Sequence, residues 1–168
     1  MSDAARELET AAEERRRARE RVEAVGEDEL RTCREAYRKL LDLLDRYEGR
    51  ATGSGDFKAF TEFQGTVGTL TDELPEDLPE RETFEEVDDF LQQRRLSERD
   101  FERAREQLEP VGDLVARLAE WNDARERYAE ARRAARRRIG ELDERIADLE
   151  RLRRLGDADL DAPVENLR

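Results

Sequence analysis

The chain contains no histidine and only one cysteine among its 168 residues. Without an imidazole it cannot form a Ser-His-Asp or Cys-His catalytic set, a His-ligated zinc or haem site, or a Glu-x-x-His di-iron centre. The single Cys33 excludes an internal disulfide and a metal cluster held by cysteines alone. We therefore predict no catalytic residue, no cofactor and no metal ligand, and we expect a protein that binds or organises other molecules.

Lysine and long hydrophobic runs are also scarce. Thirty arginines but only two lysines stand against 17 Asp and 28 Glu, which gives a formal net charge of −13. At molar salt the Debye length falls to about 3 Å, so an acidic surface of this kind keeps a chain soluble in a salt-rich cell. A GC-rich codon usage would give the same preference for arginine. The apolar runs fall far short of the roughly 18 residues that span a bilayer, and residues 1–25 resemble no targeting segment, so we expect a cytoplasmic protein with no membrane partner.

Two long segments without proline frame a different middle part. Residues 3–48 and 111–155 are rich in Ala, Leu, Glu and Arg, which are strong helix formers. As helices each would extend about 70 Å, which is too long for burial inside a globule of this size. Apolar residues recur in both at alternating spacings of three and four, as in a coiled-coil seam. The predicted seam core consists of Leu30, Tyr37, Leu40, Leu44, Leu114, Leu118, Trp121 and Tyr128.

An antiparallel arrangement of these two segments brings large seam residues opposite smaller ones. One register places Tyr37 opposite Trp121 and, after one extra residue is absorbed near Gly26, places Arg15 opposite Leu142. The same register pairs Ala18 with Ile139, Ala11 with Ile146 and Leu8 with Leu149. The sequence thus predicts an all-α fold with a long antiparallel coiled-coil hairpin whose two arms have about 45 residues each. A dimeric parallel coiled coil would give the same heptad pattern, so an intramolecular hairpin and a dimer both remain open.

The middle part, residues 56–110, contains all six phenylalanines of the chain. They fall in three groups at helical spacing, separated by Pro75 and Pro79 and by a capping-box pattern that begins at Ser97. We expect a small Phe-rich helical cap of three short helices at one end of the hairpin. Its predicted core consists of Phe57, Phe60, Phe63, Phe84, Phe90 and Phe101.

These patterns predict five successive regions. The loop at 49–55 is rich in glycine, but Asp56 follows its last glycine where a phosphate-binding loop has lysine, so we expect a flexible connection and no small-molecule substrate. The predicted regions are a first arm at 1–48 with a break near Gly26, the loop at 49–55, the cap at 56–110, a second arm at 111–155 and a tail at 156–168.

Arginines cluster in two windows of this acidic chain, at 15–21 and at 125–138. The predicted hairpin brings the windows side by side as a basic band. Because arginine binds phosphates through two nitrogens, the band is a candidate contact for nucleic acid, another polyanion or an acidic protein. Pairing with nearby glutamates at helical spacing is the simpler interpretation. The candidate contacts are Arg15, Arg16, Arg19, Arg133, Arg136 and Arg137.

Three short tracts, at residues 49–57, 74–79 and 95–101, resemble those of an uncharacterised family of acidic haloarchaeal coiled-coil proteins. The resemblance implies no activity, because none is established for that family. Its members tend to be longer, so we expect either the N-terminal piece of a longer protein or a short member. The long helices alone also resemble the arms of chromosome-structuring ATPases.

We therefore predict a non-enzymatic architectural or adaptor protein that presents its helices to a protein partner or to a second copy of itself. The alternative is a nucleic-acid-associated protein, similar to chromosome-structuring proteins, that uses the basic band. An enzyme with an acidic site at the cap is a third hypothesis, because carboxylate chemistry needs no histidine.

Overall fold

The computed structural model describes residues 2–53 and 56–161, which form six α-helices and, within these ranges, no β-strand. The predicted all-α class is confirmed. Among these residues, no helix carries an apolar stretch of the length that a bilayer crossing requires. The helices are α1 (Asp3–Glu23), α2 (Glu27–Tyr47), α3 (Phe57–Asp72), α4 (Arg81–Leu91), α5 (Glu98–Gln107) and α6 (Glu109–Asp161).

The chain divides into two compact units. The first unit combines the beginning of α1, up to Arg15, with α6 from Ala124 onward. The second unit is Arg16–Asp123 and holds the rest of α1, the four helices α2 to α5 and the beginning of α6. Both α1 and α6 therefore belong partly to one unit and partly to the other.

Local capping explains where several helices begin. Asp56 precedes α3 and accepts a hydrogen bond from the backbone N–H of Lys58 at 3.0 Å. Ser97 and Asp100 form the capping box that the sequence predicts at the start of α5. Gly26 separates α1 from α2 with φ of 116°, a backbone conformation that side-chain-bearing residues rarely adopt, so the chain breaks there.

The core of the second unit is built around stacked aromatic rings. The rings of Phe63 and Phe101 are 5.1 Å apart at 24°, and Tyr47 lies 5.5 Å from Phe63. Phe84 is fully buried in the same cluster, and Val111 at the start of α6 joins it. The aromatic cluster thus ties α2, α3, α4 and α5 to the first turns of α6.

An ion-pair group on the surface of this unit joins α5 to α2. Arg105 Nη2 lies 2.9 Å from Asp45 Oδ1 and 3.0 Å from Glu48 Oε2, and Arg105 Nη1 donates to Glu48 Oε1 at 3.2 Å. The hydrogen bonds to Glu48 raise the pKa of Arg105 above its ordinary value. The bidentate contact between Arg105 and Glu48 orients α5 on α2, because the planar guanidinium and the carboxylate bind each other in one plane.

Phe57 is a correction to the predicted cap core. It is 77% exposed, whereas Phe63, Phe84 and Phe101 are fully buried and Phe60 and Phe90 are partly buried. Phe57 and Phe63 are six residues apart on α3, so their side chains point about 120° apart around the helix. Phe57 therefore reaches only the edge of the cluster, where its ring lies 6.2 Å from that of Phe60.

The predicted seam residues are all removed from solvent at least in part. Leu30, Leu40, Leu44 and Leu118 are buried, and Tyr37, Leu114, Trp121 and Tyr128 are half-buried. Two arginines that follow Leu118 at heptad spacing are not removed from solvent. Arg125 and Arg132 are exposed, and Ala124 and Ala131, each one residue earlier, are buried instead.

The predicted register between the two long segments is wrong. The sequence places Arg15 opposite Leu142, but the guanidinium of Arg15 lies over the ring of Tyr128, about four helical turns nearer the start of α6. The sequence also places Tyr37 opposite Trp121, but Tyr37 lies against Gly112, where an added Cβ would be 2.8 Å from the tyrosine oxygen. The contact of Arg15 is displaced by two heptads, and a heptad pattern matches its seam equally well after such a shift. The contact of Tyr37 is displaced by a distance that is not a whole number of heptads, to a glycine that leaves room for the tyrosine side chain.

Helix α6 also departs from the predicted boundaries. It starts at Glu109, inside the predicted cap, and continues through Gly156 to Asp161, where the sequence predicts a tail. Neither Gly140 nor Gly156 interrupts it. A glycine in a helix interior costs only about 1 kcal/mol, which its Leu- and Arg-rich neighbours offset. The remainder of the predicted tail lies outside the described residues.

The difference between Phe63 and Phe57 gives a direct test of this core. Replacing the fully buried Phe63 by alanine should lower the free energy of unfolding by about 3 to 5 kcal/mol, because it removes a stacked ring and leaves a cavity. The same change at the exposed Phe57 should shift it by no more than about 0.5 kcal/mol. Denaturant unfolding of both variants measures the difference, and equal losses would contradict the assignment.

Candidate partner-binding surface

The last part of α6 carries a row of exposed apolar side chains, which we call the α6 stripe: Ile139, Leu142, Ile146 and Leu149. Their exposed fractions are 58%, 42%, 52% and 49% in that order. The spacing of three, four and three places all four on one face of the helix. Every residue from Arg136 to Leu160 is exposed, so no described part of the chain covers this face.

The stripe continues a face of α6 that is buried nearer the middle of the helix. In the first unit, Ala11 of α1 and Ala131 of α6 are buried, and Arg127 Nε lies 3.5 Å from Glu14 Oε2. Arg15 stacks on Tyr128 with 3.7 Å from guanidinium carbon to ring centroid, a favourable cation–π distance. The α1 contacts thus cover α6 around these residues and do not extend to the stripe.

The register predicted from sequence places the stripe residues in the hairpin seam, opposite α1, and so does not identify them as a surface. The structure shows that they lack this cover. Exposed Ile and Leu scattered singly are normal on a protein surface, but a contiguous exposed row marks an interaction site. The sequence feature that points to it is the spacing of three, four and three between the Ile and Leu residues at 139–149.

The candidate arginines are distributed over both units. Arg15 lies on Tyr128 in the first unit. In the second unit, Arg19 pairs with Glu23 at 2.8 Å, and Arg16 also has an interaction partner. The remaining three are exposed along α6, just before the stripe: Arg133, Arg136 and Arg137. The exposed basic cluster is therefore a property of α6 itself.

A groove between α2 and α3, which sequence reasoning missed, is a further surface feature of the second unit. It has a volume of about 800 Å³, and Ala36, Leu43, Leu70 and Leu74 contribute apolar lining. Charged residues of both helices, such as Lys39, border it. Small residues of α3, namely Gly65, Thr66 and Thr69, line this space.

Cys33 is held in its unreactive, protonated form, and the described carboxylates are not grouped as metal ligands. Cys33 is fully buried, and its thiol donates a hydrogen bond to the carbonyl oxygen of Pro79 at 3.5 Å. Burial and the nearby charge of Glu80 raise the pKa of this thiol to about 11, which disfavours the nucleophilic thiolate. Among the residues that the structure describes, no cluster of Cys, Asp and Glu side chains is arranged to hold a metal ion.

The chain belongs to the family described as a domain of unknown function (DUF7118), whose model matches residues 8–168. This agrees with the predicted membership of an uncharacterised family. No curated protein and no solved structure is significantly similar to the chain.

Because the pKa of Cys33 is raised, its reactivity should depend on folding. At pH 8 the native protein should react with a disulfide reagent on the order of a hundredfold more slowly than the urea-unfolded protein, as expected from the smaller thiolate fraction and from burial. The protonated thiol makes its full contribution to the free energy of unfolding below pH 9.0, the ordinary pKa of cysteine. This contribution is lost as the pH rises towards about 11, the pKa of Cys33 in the folded protein. A Cys33→Ala variant should lack this part of the pH dependence, and equal reaction rates in the native and unfolded states would contradict the burial.

Proposed function

We propose that this member of the DUF7118 family is a non-enzymatic adaptor or architectural protein that binds a helix of another polypeptide along the α6 stripe. The observation that supports the proposal is the row of four half-exposed Ile and Leu side chains on one face of α6. The absence of histidine and the buried, protonated Cys33 agree with it, since neither offers a catalytic group.

The stripe has enough apolar surface to contribute to association. Full burial of an Ile or Leu side chain stabilises by about 1.5 to 3 kcal/mol, so covering four half-exposed ones contributes roughly 3 to 6 kcal/mol from this helix, with a similar amount from the partner helix. Part of this favourable free energy offsets the translational and rotational entropy that the two molecules lose when they associate. We therefore propose a reversible complex rather than a permanent one.

The same proposal includes a short antiparallel coiled coil within the first unit, between α1 up to Arg15 and α6 from Ala124. The buried Ala11 and Ala131 support it, because small residues allow two helices to approach closely. The contact of Arg15 with Tyr128 supports it as well. In this arrangement the partner helix would continue along α6 where α1 no longer covers it.

We also propose that the protein works in a high-salt cytoplasm, which its net charge of −13 and its scarcity of lysine support. At molar salt, acidic groups more than a few ångströms apart hardly repel each other. Some salts also strengthen the burial of apolar surface. Binding through the α6 stripe is suited to such conditions because its main contribution is not electrostatic.

A second candidate function is contact with nucleic acid through the exposed basic cluster at Arg133, Arg136 and Arg137. If it operates, the affinity for DNA or RNA should fall steeply with salt, and replacing all three arginines by glutamate should lower it at least tenfold. Fluorescence anisotropy across a salt series measures both effects. Unchanged affinity in the triple variant would exclude this function.

The adaptor function predicts position-specific contacts in cells. A photo-cross-linking amino acid at Ile146 should give a covalent adduct with another polypeptide chain. Leu155 is the matched control, because it is also well exposed, at 64%, but lies nine residues further along and so about half a turn away around the helix. Mass spectrometry of the adducts identifies the chain that is bound. Equal adduct formation at both positions, or none at Ile146, would show that the stripe is not a binding surface.

A further inference from the structure

We propose that the α6 stripe binds the same stripe of a second copy of this chain, in a parallel, in-register, two-stranded coiled coil. This inference rests on the proposed function, since it requires that the stripe binds a helix, and it goes beyond it by naming that helix and its direction. Three features of α6 between residues 138 and 156 support it: the residue types along the stripe, the charges on its two sides and the residues that follow it.

The residue types along the stripe match a parallel dimer. With Ile139 at heptad position a, the stripe has isoleucine at both a positions and leucine at both d positions. In parallel coiled coils, β-branched residues at a with leucine at d favour two strands over three or four. The stripe residues in this order are Ile139 (a), Leu142 (d), Ile146 (a) and Leu149 (d).

The charges on either side of the stripe complement each other between parallel copies. Arg138 and Arg145 occupy the g positions, and Asp143 and Glu150 occupy the e positions. In a parallel, in-register pair each g residue faces the e residue of the next heptad on the other chain. Arg138 would then face Asp143 of the second copy, and Arg145 would face Glu150 of the second copy. Two-fold symmetry doubles these to four pairs of opposite charge.

An antiparallel pair would bring together like charges. When one helix is reversed, g positions face g positions and e positions face e positions. Arg145 would then face an arginine or Leu152 of the second copy, and Asp143 would face an acidic residue or Arg136 of the second copy, depending on register. Like charges that meet across an interface reduce affinity and exclude wrong arrangements. The flanking charges thus favour the parallel orientation.

The residues beyond the stripe limit the interface to about two heptads. The next a position holds Arg153 and the next d position holds Gly156, so the apolar face ends there. On the other side, Ala131 is already buried within the first unit. A coiled coil of this length has few apolar layers, and we therefore infer a dimer whose population depends on protein concentration.

Sedimentation equilibrium of the full chain tests self-association. Up to about 0.3 mM protein, in both about 0.15 M and about 2 M KCl, the wild type should move from monomer towards dimer. Leu149→Glu should raise the dissociation constant at least tenfold, because it introduces two charges into the seam. Leu155→Glu makes the same change at an exposed leucine off the stripe and should leave the constant within twofold. A monomeric wild type, or equal weakening by both variants, would overturn the proposal.

Charge exchange and cross-linking test the orientation. Arg145→Glu alone and Glu150→Arg alone should each weaken the dimer severalfold at the lower salt, and the double variant should restore it, because the exchanged charges again face each other. A Leu142→Cys variant should form a disulfide-linked dimer, whereas Leu155→Cys should not, and the buried Cys33 does not compete. A dimer that the double variant fails to restore and that Leu142→Cys fails to link would overturn the parallel arrangement.

The failure of self-pairing and the failure of the adaptor function give different results. If the chain is monomeric in sedimentation but a photo-cross-linker at Ile146 links it to another polypeptide, the adaptor function stands and the second copy is excluded. If the adduct is a covalent dimer of this chain, both stand. If neither experiment shows an association that depends on the stripe, both are overturned.

Discussion

Burial of the apolar face of α6 is the constraint on which the rest of the structure depends. This helix has 53 residues, and its apolar residues continue almost to its end. Water disfavours such a face, so each section of it needs cover from another element. The aromatic cluster covers the first turns around Val111, and the start of α1 covers the section around Ala131. The section from Ile139 to Leu149 has no cover among the described residues, and the proposed function follows from that difference.

The aromatic cluster also determines which part of α6 packs against the other helices of the second unit. Phe63 and Phe101 pack face to face, and Arg105 orients α5 on α2 by its contacts with Glu48. Where α6 packs on this cluster, Tyr37 lies against Gly112, and a Cβ added at residue 112 would come within 2.8 Å of the tyrosine oxygen. These contacts bring α2 nearer the start of α6 than the heptad pattern suggests, and the stripe is left further along.

Much of the fold was accessible from sequence because it depends on local physics. The abundance of strong helix formers predicts an all-α protein, and the capping box at Ser97 predicts the start of α5. The register was not accessible, because heptad patterns match again after every seven residues and a long-range contact is needed to choose among the matches. For the same reason the register predicted from sequence places the stripe residues in the seam. The arginine cluster was visible as charge, but whether Arg15 is exposed or stacked on Tyr128 depends on where α1 meets α6.

The sequence by itself determined the class of protein: helical, strongly acidic, without histidine and without a long apolar run. It also determined the seam pattern, since periodicity along a helix is a property of the chain alone. Only the tertiary structure decided which apolar residues are covered. Ile139 and Leu30 are equally apolar in the sequence, yet Leu30 is fully buried and Ile139 is 58% exposed. Burial depends on which neighbours the fold supplies, and that information lies in contacts between residues far apart in the chain.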